Sequence, residues 1–147
     1  MDYRRIDHVG LTVGDVDRSV DFYTSMFDLT VIGRGDGDAD WIARGLGFAQ
    51  VKLATAHLEG ENIRLELIQY VEPPGRPDAP RNNDVGAAHI CFPVLDIEEA
   101  YNDLSAKGAR FIAPPSPSHM DGRGFRFAYL LDPDDIAVEI LQHQRSS

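Results

Sequence analysis

Two stretches of the chain carry the same pattern. Residues Ile6–Val16 (IDHVGLTVGDV) and Ala87–Ile97 (AAHICFPVLDI) each run from a histidine through a β-prone apolar segment to an aspartate, then into a helical period. Laid over one another, His8 meets His89, Val9 meets Ile90, Val13 meets Val94, Asp15 meets Asp96 and Val16 meets Ile97. Val16, Val20, Tyr23 and Phe27 recur at helical spacing and predict an amphipathic helix over 16–27. Ile97, Ala100, Tyr101 and Leu104 predict a second over 97–107. Asp15 and Asp96 suit the N-caps, because a carboxylate accepts the free N–H groups of a first turn. Gly108 suits the left-handed residue past the second helix.

Strand-like segments follow each helix. In the first half they are Leu29–Ile32, Phe48–Leu58 and Ile63–Val71. In the second they are Arg110–Ala113, Phe125–Leu131 and Ile136–Gln142. The order is β-α-β-β-β, twice. Between the halves, EPPGRPDAPRNND reads as a linker, rich in proline and polar residues. A half of roughly 70 residues has little core of its own. The expectation is one domain over 1–147, α+β in class. Module one covers about 4–71, a linker about 72–85 and module two about 86–143. Gly33–Gly47 and Pro114–Gly124 are expected to be loops at equivalent places. They would either flank one cavity or serve as plain connections.

Composition narrows the partners. Against 14 Lys+Arg stand 24 Asp+Glu, a formal net charge of -10. Such a chain repels phosphate backbones, so no nucleic acid and no anionic membrane is expected as partner. The single cysteine, Cys91, excludes an intrachain disulfide and suits a reducing compartment. No apolar run approaches a spanning helix, and the N-terminus lacks the apolar core of a secretory signal. The expected setting is cytoplasmic.

The repeat also aligns chemistry. Each half has one histidine near its start, His8 and His89. Each half ends on a strand with a glutamate between apolar neighbours, Glu66 in LELI and Glu139 in VEIL. Strand alternation puts that glutamate on the face opposite its neighbours. Each half therefore offers one imidazole and one carboxylate on one sheet face. Two imidazoles and two carboxylates form a donor set for a divalent transition metal with open positions. The His8–Glu66 interval is longer than His89–Glu139, a difference the Gly/Asp-rich segment of the first half absorbs.

These segments, together with FRFAYLLDPDDIAVEILQ, resemble the vicinal oxygen chelate superfamily. That group includes glyoxalase I, bleomycin-resistance proteins and extradiol dioxygenases. The resemblance implies two paired β-α-β-β-β modules forming a curved mixed sheet around a metal-binding cleft. It implies His8, Glu66, His89 and Glu139 as metal ligands, the same four residues the repeat picks out. It also implies one divalent ion (Ni, Zn, Co, Mn or Fe), a small-molecule substrate and a homodimer. The nearest branches are glyoxalase I and methylmalonyl-CoA epimerase. Where bacterial glyoxalase I holds glutathione with arginine and asparagine, this chain has Thr12 and Tyr70. Where the epimerase family usually has glutamine, this chain has Glu66. The family's D-P-D-G turn is Asp132-Pro133-Asp134-Asp135 here, and an aspartate tolerates such a turn.

The implied activity is that of a lyase, isomerase or epimerase. Such an enzyme chelates a small oxygenated substrate and stabilises an enolate or enediolate. Glu139 is the first choice of base and Glu66 the second. Two alternatives are an extradiol-type dioxygenase using Fe(II) on His8, His89 and Glu139, and a non-catalytic binder of the bleomycin-resistance kind. Lys52 and Arg123 are candidate contacts for a substrate anion. His57, His119 and His143 have no repeat partner and are expected to be structural or exposed. Trp41 either covers the cleft or anchors its loop. Cys91 is expected to be a buried, unactivated strand residue.

Overall fold

The computed structural model describes residues 6–76, 80–117 and 124–143. The chain divides into two compact units, Met1–Pro77 and Asp78–Ser147. Each is α+β and carries a four-stranded mixed sheet.

In the first unit the elements are β1 (Val9–Thr12), α1 (Val16–Phe27), β2 (Thr30–Gly37), α2 (Asp40–Leu46), β3 (Lys52–Glu59) and β4 (Arg64–Glu72). The sheet order is β1-β4-β3-β2. β1 runs parallel to β4, and the other pairs are antiparallel. A parallel neighbour needs a crossover, which α1, β2 and β3 supply. α1 lies against β3 and β4. It buries Val16, Ser19, Val20 and Tyr23. From the sheet, Ala56, Leu58, Leu65 and Leu67 are buried without remaining exposure. Removing each of the three leucines from water contributes roughly 1.5–3 kcal/mol, so this layer holds the unit together.

The second unit repeats the plan with β5 (Ile90–Pro93), α3 (Ile97–Ala106), β6 (Arg110–Phe111), β7 (Phe125–Leu131) and β8 (Ala137–His143). Its sheet order is β5-β8-β7-β6, with β5 parallel to β8. α3 lies against β7 and β8. Ile97, Leu130, Val138 and Ile140 are fully buried.

The caps stand where the sequence puts them. Asp15 Oδ1 accepts the Arg18 N–H at 3.0 Å. Asp96 Oδ1 accepts those of Glu98 and Glu99 at 2.9 and 3.1 Å. Past α3, Gly108 adopts φ 92°, and past α1 the left-handed place is taken by Asp28 at φ 54°. The β7–β8 turn also holds its aspartate in the left-handed region, Asp135 at φ 63°. Buried Asp132 fixes that turn, its Oδ1 accepting the N–H groups of Asp134 and Ile136, both at 2.8 Å.

The segment expected to be the loop Gly33–Gly47 is instead ordered. β2 continues through Gly37, because its backbone pairs with β3 as far as Gly37 opposite Leu53. A short helix follows, ended by Gly47 at φ 79°. Glycine and aspartate richness hid Ile42 and Ala43, which pack with Val51, Leu53, Ile68 and Tyr70. Trp41 is 70% exposed, so it anchors nothing by burial. In the second unit, β6 is two residues long and 112–117 carry no helix or strand. His119 and Arg123 lie outside the described residues.

Candidate metal-binding half-sites

Each unit brings its histidine and its glutamate together. His8 immediately precedes β1 and His89 immediately precedes β5, so both sit one residue outside the strands expected to carry them. β1 pairs Gly10 with Glu66, and β5 pairs Cys91 with Glu139. Two residues back along the chain lies the same face, which places His8 over Glu66 and His89 over Glu139.

In the first unit, His8 Nε2 lies 3.3 Å from Glu66 Oε2. Its Nδ1 is 2.9 Å from Asp7 Oδ1. A carboxylate only accepts, so both nitrogens of His8 are placed to donate, Nδ1 to Asp7 and Nε2 to Glu66, as a protonated ring does. The His8 pKa is raised. The Asp7 hydrogen bond is the main cause, partly opposed by burial, and the Glu66 charge adds to it. Glu66 is flanked on β4 by Leu65 and Leu67, both fully buried, while its own side chain keeps 23% exposure. The alternation of faces is therefore as the sequence predicts.

His57 also reaches this carboxylate. It stands on β3 directly across from Glu66. Its Nε2 is 3.3 Å from Glu66 Oε1. The rings of His8 and His57 are edge to face, with centroids 6.5 Å apart. The expectation that His57 lacks a repeat partner is corrected here. Its counterpart is Tyr129, which stands on β7 directly across from Glu139. The equivalence escaped notice because one position holds an imidazole and the other a phenol. Only the strand register reveals it.

In the second unit, His89 Nε2 lies 3.0 Å from Glu139 Oε2. Tyr129 Oη is 3.5 Å from His89 Nε2. Burial, followed by the charge and hydrogen bond of Glu139, raises the Tyr129 pKa. Cys91 is exposed as a residue, contrary to expectation. Its thiol nevertheless faces Glu139. Partial burial first, then the Glu139 charge and hydrogen bond, push it up to about 11. It is an unactivated thiol, as expected.

A further pair escaped the sequence reading. Gln69, three residues past Glu66, accepts the Val16 N–H at 3.1 Å. Gln142, three residues past Glu139, accepts the Ile97 N–H at 3.2 Å. An odd offset along a strand switches faces. The same strand thus presents glutamate on one face and holds the helix start on the other. The signal was the E-x-x-Q spacing shared by LELIQ and VEILQ.

Lys52 is not brought to the first half-site. It opens β3 opposite Glu72, six residues along β4 from Glu66, or roughly 20 Å at strand rise. His143 ends β8 and is exposed. Among the described residues, no group of three or more His, Cys, Asp or Glu side chains is gathered for a metal ion. What each unit offers is a His–Glu pair. The donor chemistry of these pairs fits a divalent transition ion, which takes imidazole nitrogen and carboxylate oxygen. Asp7 behind His8 is the outer partner that metal-bound histidines ordinarily have.

Comparison with known proteins agrees with this architecture. The profile of the Glyoxalase/Bleomycin resistance protein/Dioxygenase superfamily matches residues 5–140. The chain belongs to that superfamily. It is 32% identical over 144 residues to a 2-epi-5-epi-valiolone epimerase from Actinomyces sp, covering 92% of this chain and 78% of the relative. It is 26% identical to a probable lactoylglutathione lyase from Vibrio cholerae, covering 99% and 96%. It spans only 45% of the lactoylglutathione lyases matched in Arabidopsis thaliana and Brassica oleracea var. gemmifera. Among solved structures, a glyoxalase family protein from Bacillus cereus superposes with TM-score 0.82 at 22% identity, covering 99% and 97%.

Proposed function

We propose that the protein is a metal-dependent enzyme of the lyase, isomerase or epimerase type, acting on a small oxygenated substrate. His8, Glu66, His89 and Glu139 are its metal ligands. The observation that carries this reading is the twofold occurrence of one His–Glu pair, at matching register in both units. A relative named as an epimerase and another named as a lyase support the reaction class.

A divalent ion held by these residues would stabilise negative charge developing on a substrate oxygen. The remaining chemistry falls to the chain. Glu139 takes the proton from the carbon beside a substrate carbonyl, and Glu66 is the second candidate. In an epimerisation the proton returns to that carbon; in an isomerisation it goes to its neighbour. Glu139 suits the role because it keeps only 13% side-chain exposure, and limited water strengthens its interaction with a cationic or acidic partner. Thr12 and Tyr70 stand where bacterial glyoxalase I grips glutathione, which favours a substrate other than a glutathione adduct. The reading takes the working form as a cytoplasmic homodimer. Among the described residues, no helix is long and apolar enough to cross a membrane.

The test is metal analysis of protein loaded with Ni, Zn, Co, Mn or Fe(II). It is followed by a turnover screen against small α-hydroxy carbonyls and cyclic ketones, with oxygen uptake monitored. The reading expects a bound divalent ion, and proton exchange or isomer formation without oxygen consumption. Substrate-dependent oxygen uptake would make the protein a dioxygenase, and absence of bound metal would overturn the reading altogether.

A further inference from the structure

We infer that His57 is a positioning residue that fixes the Glu66 carboxylate for metal binding. The inference rests on the ligand reading of His8 and Glu66 and adds a residue to it.

Three observations carry it. First, His57 and Glu66 are directly opposed across the antiparallel β3–β4 pair. Side chains so placed stand about 4.5–5.5 Å apart at Cβ, close enough to interact along their length. Second, the two histidines take different oxygens of one carboxylate. His8 Nε2 is 3.3 Å from Oε2, and His57 Nε2 is 3.3 Å from Oε1. Third, the arrangement recurs with other chemistry in the second unit, where Tyr129 is opposite Glu139.

The contacts assign the roles. A carboxylate only accepts hydrogen bonds, so each histidine faces its oxygen of Glu66 as a donor. What separates the two is the outer contact: His8 Nδ1 lies 2.9 Å from Asp7 Oδ1, the kind of partner a ligating histidine ordinarily has, and His8 stands at the repeat position shared with His89. His57 therefore holds Glu66 from behind, as the outer partner that orients a ligating carboxylate. With one oxygen held, Glu66 presents the other in a fixed direction, and its rotamer freedom is already restricted before a metal arrives.

The experiment is titration of EDTA-treated full-length protein with Co(II), followed by calorimetry and by the visible spectrum of the bound ion. The proteins compared are wild type, Glu66→Ala, His57→Ala and His57→Gln. Wild type should bind Co(II), and Glu66→Ala should lose high-affinity binding. His57→Ala should bind with unchanged stoichiometry and an unchanged ligand-field band pattern, but about 10–100-fold more weakly. His57→Gln keeps an N–H donor and should recover most of the affinity, which a merely space-filling role would not predict. Binding by His57→Ala within twofold of wild type, while Glu66→Ala has lost it, overturns the positioning role alone. A changed band pattern in His57→Ala makes His57 a ligand and also overturns it. Failure of wild type to bind Co(II) overturns the ligand reading, and the inference falls with it. If His57→Ala does not fold, His57→Gln and His57→Asn, compared at equal thermal stability, decide the same question.

Discussion

Glu139 Oε2 stands 3.0 Å from His89 Nε2, with Glu139 on β8 and His89 one residue before β5, the strand that pairs parallel with it. The contact repeats that of Glu66 with His8 in the other unit. If all four residues serve one ion, loss of a donor from either unit should remove binding. Glu66→Ala and Glu139→Ala should then each abolish high-affinity uptake of Co(II) or Zn(II). Residual binding of one ion by both variants, measured by calorimetry, would show two independent sites.

Glu139→Gln should leave circular dichroism unchanged and abolish turnover, because the amide preserves shape but takes no proton. Full turnover by this variant would remove Glu139 as the base. Stripping the ion with EDTA should also abolish turnover and lower the melting temperature. At an ion concentration 100 times the dissociation constant, bound metal contributes about 2.7 kcal/mol. For a chain of this length that is roughly 5–11 °C.

Asp132 is fully buried and accepts two backbone N–H groups in the turn that leads into β8. Asp132→Ala leaves both donors without that acceptor. The expected cost is about 2–4 kcal/mol, since an unsatisfied buried donor costs roughly 1–3 kcal/mol and these two donors are only part-buried. Urea unfolding measures it. A loss below about 0.5 kcal/mol would mean the turn holds without this side chain.

Gln69→Ala and Gln142→Ala each free one helix-start N–H, of Val16 and Ile97 respectively. Each should cost about 1 kcal/mol. The two should add, because they act on separate sheets. A double-mutant cycle in urea checks both statements.

Cys91 should alkylate slowly. With its pKa pushed up to about 11, roughly one thiol in a thousand is ionised at pH 8, against about one in four for an ordinary cysteine. Removing the Glu139 charge makes the thiolate easier to form. Glu139→Gln should therefore accelerate reaction with iodoacetamide, followed by mass spectrometry. An unchanged rate would break the assigned contact between these two side chains.

The repeat of His8 with His89 and of Asp15 with Asp96 was legible in the chain, and so were both long helices. Amphipathic period and capping are local properties, so a linear reading recovers them. Glu66 and Glu139 were legible for a related reason. Alternation along a strand assigns their face without any knowledge of the partner strand. α2 was hidden because seven residues give too little periodicity, and its few apolar side chains matter only through what they pack against. The placement of His57 and Tyr129 was out of reach for a different reason. Their opposition to the glutamates depends on β3–β4 and β7–β8 register, which is fixed by pairing between segments distant in the chain. Sequence periodicity thus determined which residues are the candidates for the chemistry. Strand pairing alone decided which neighbours stand against them, because cross-strand contact is a property of two segments and is written in neither one alone.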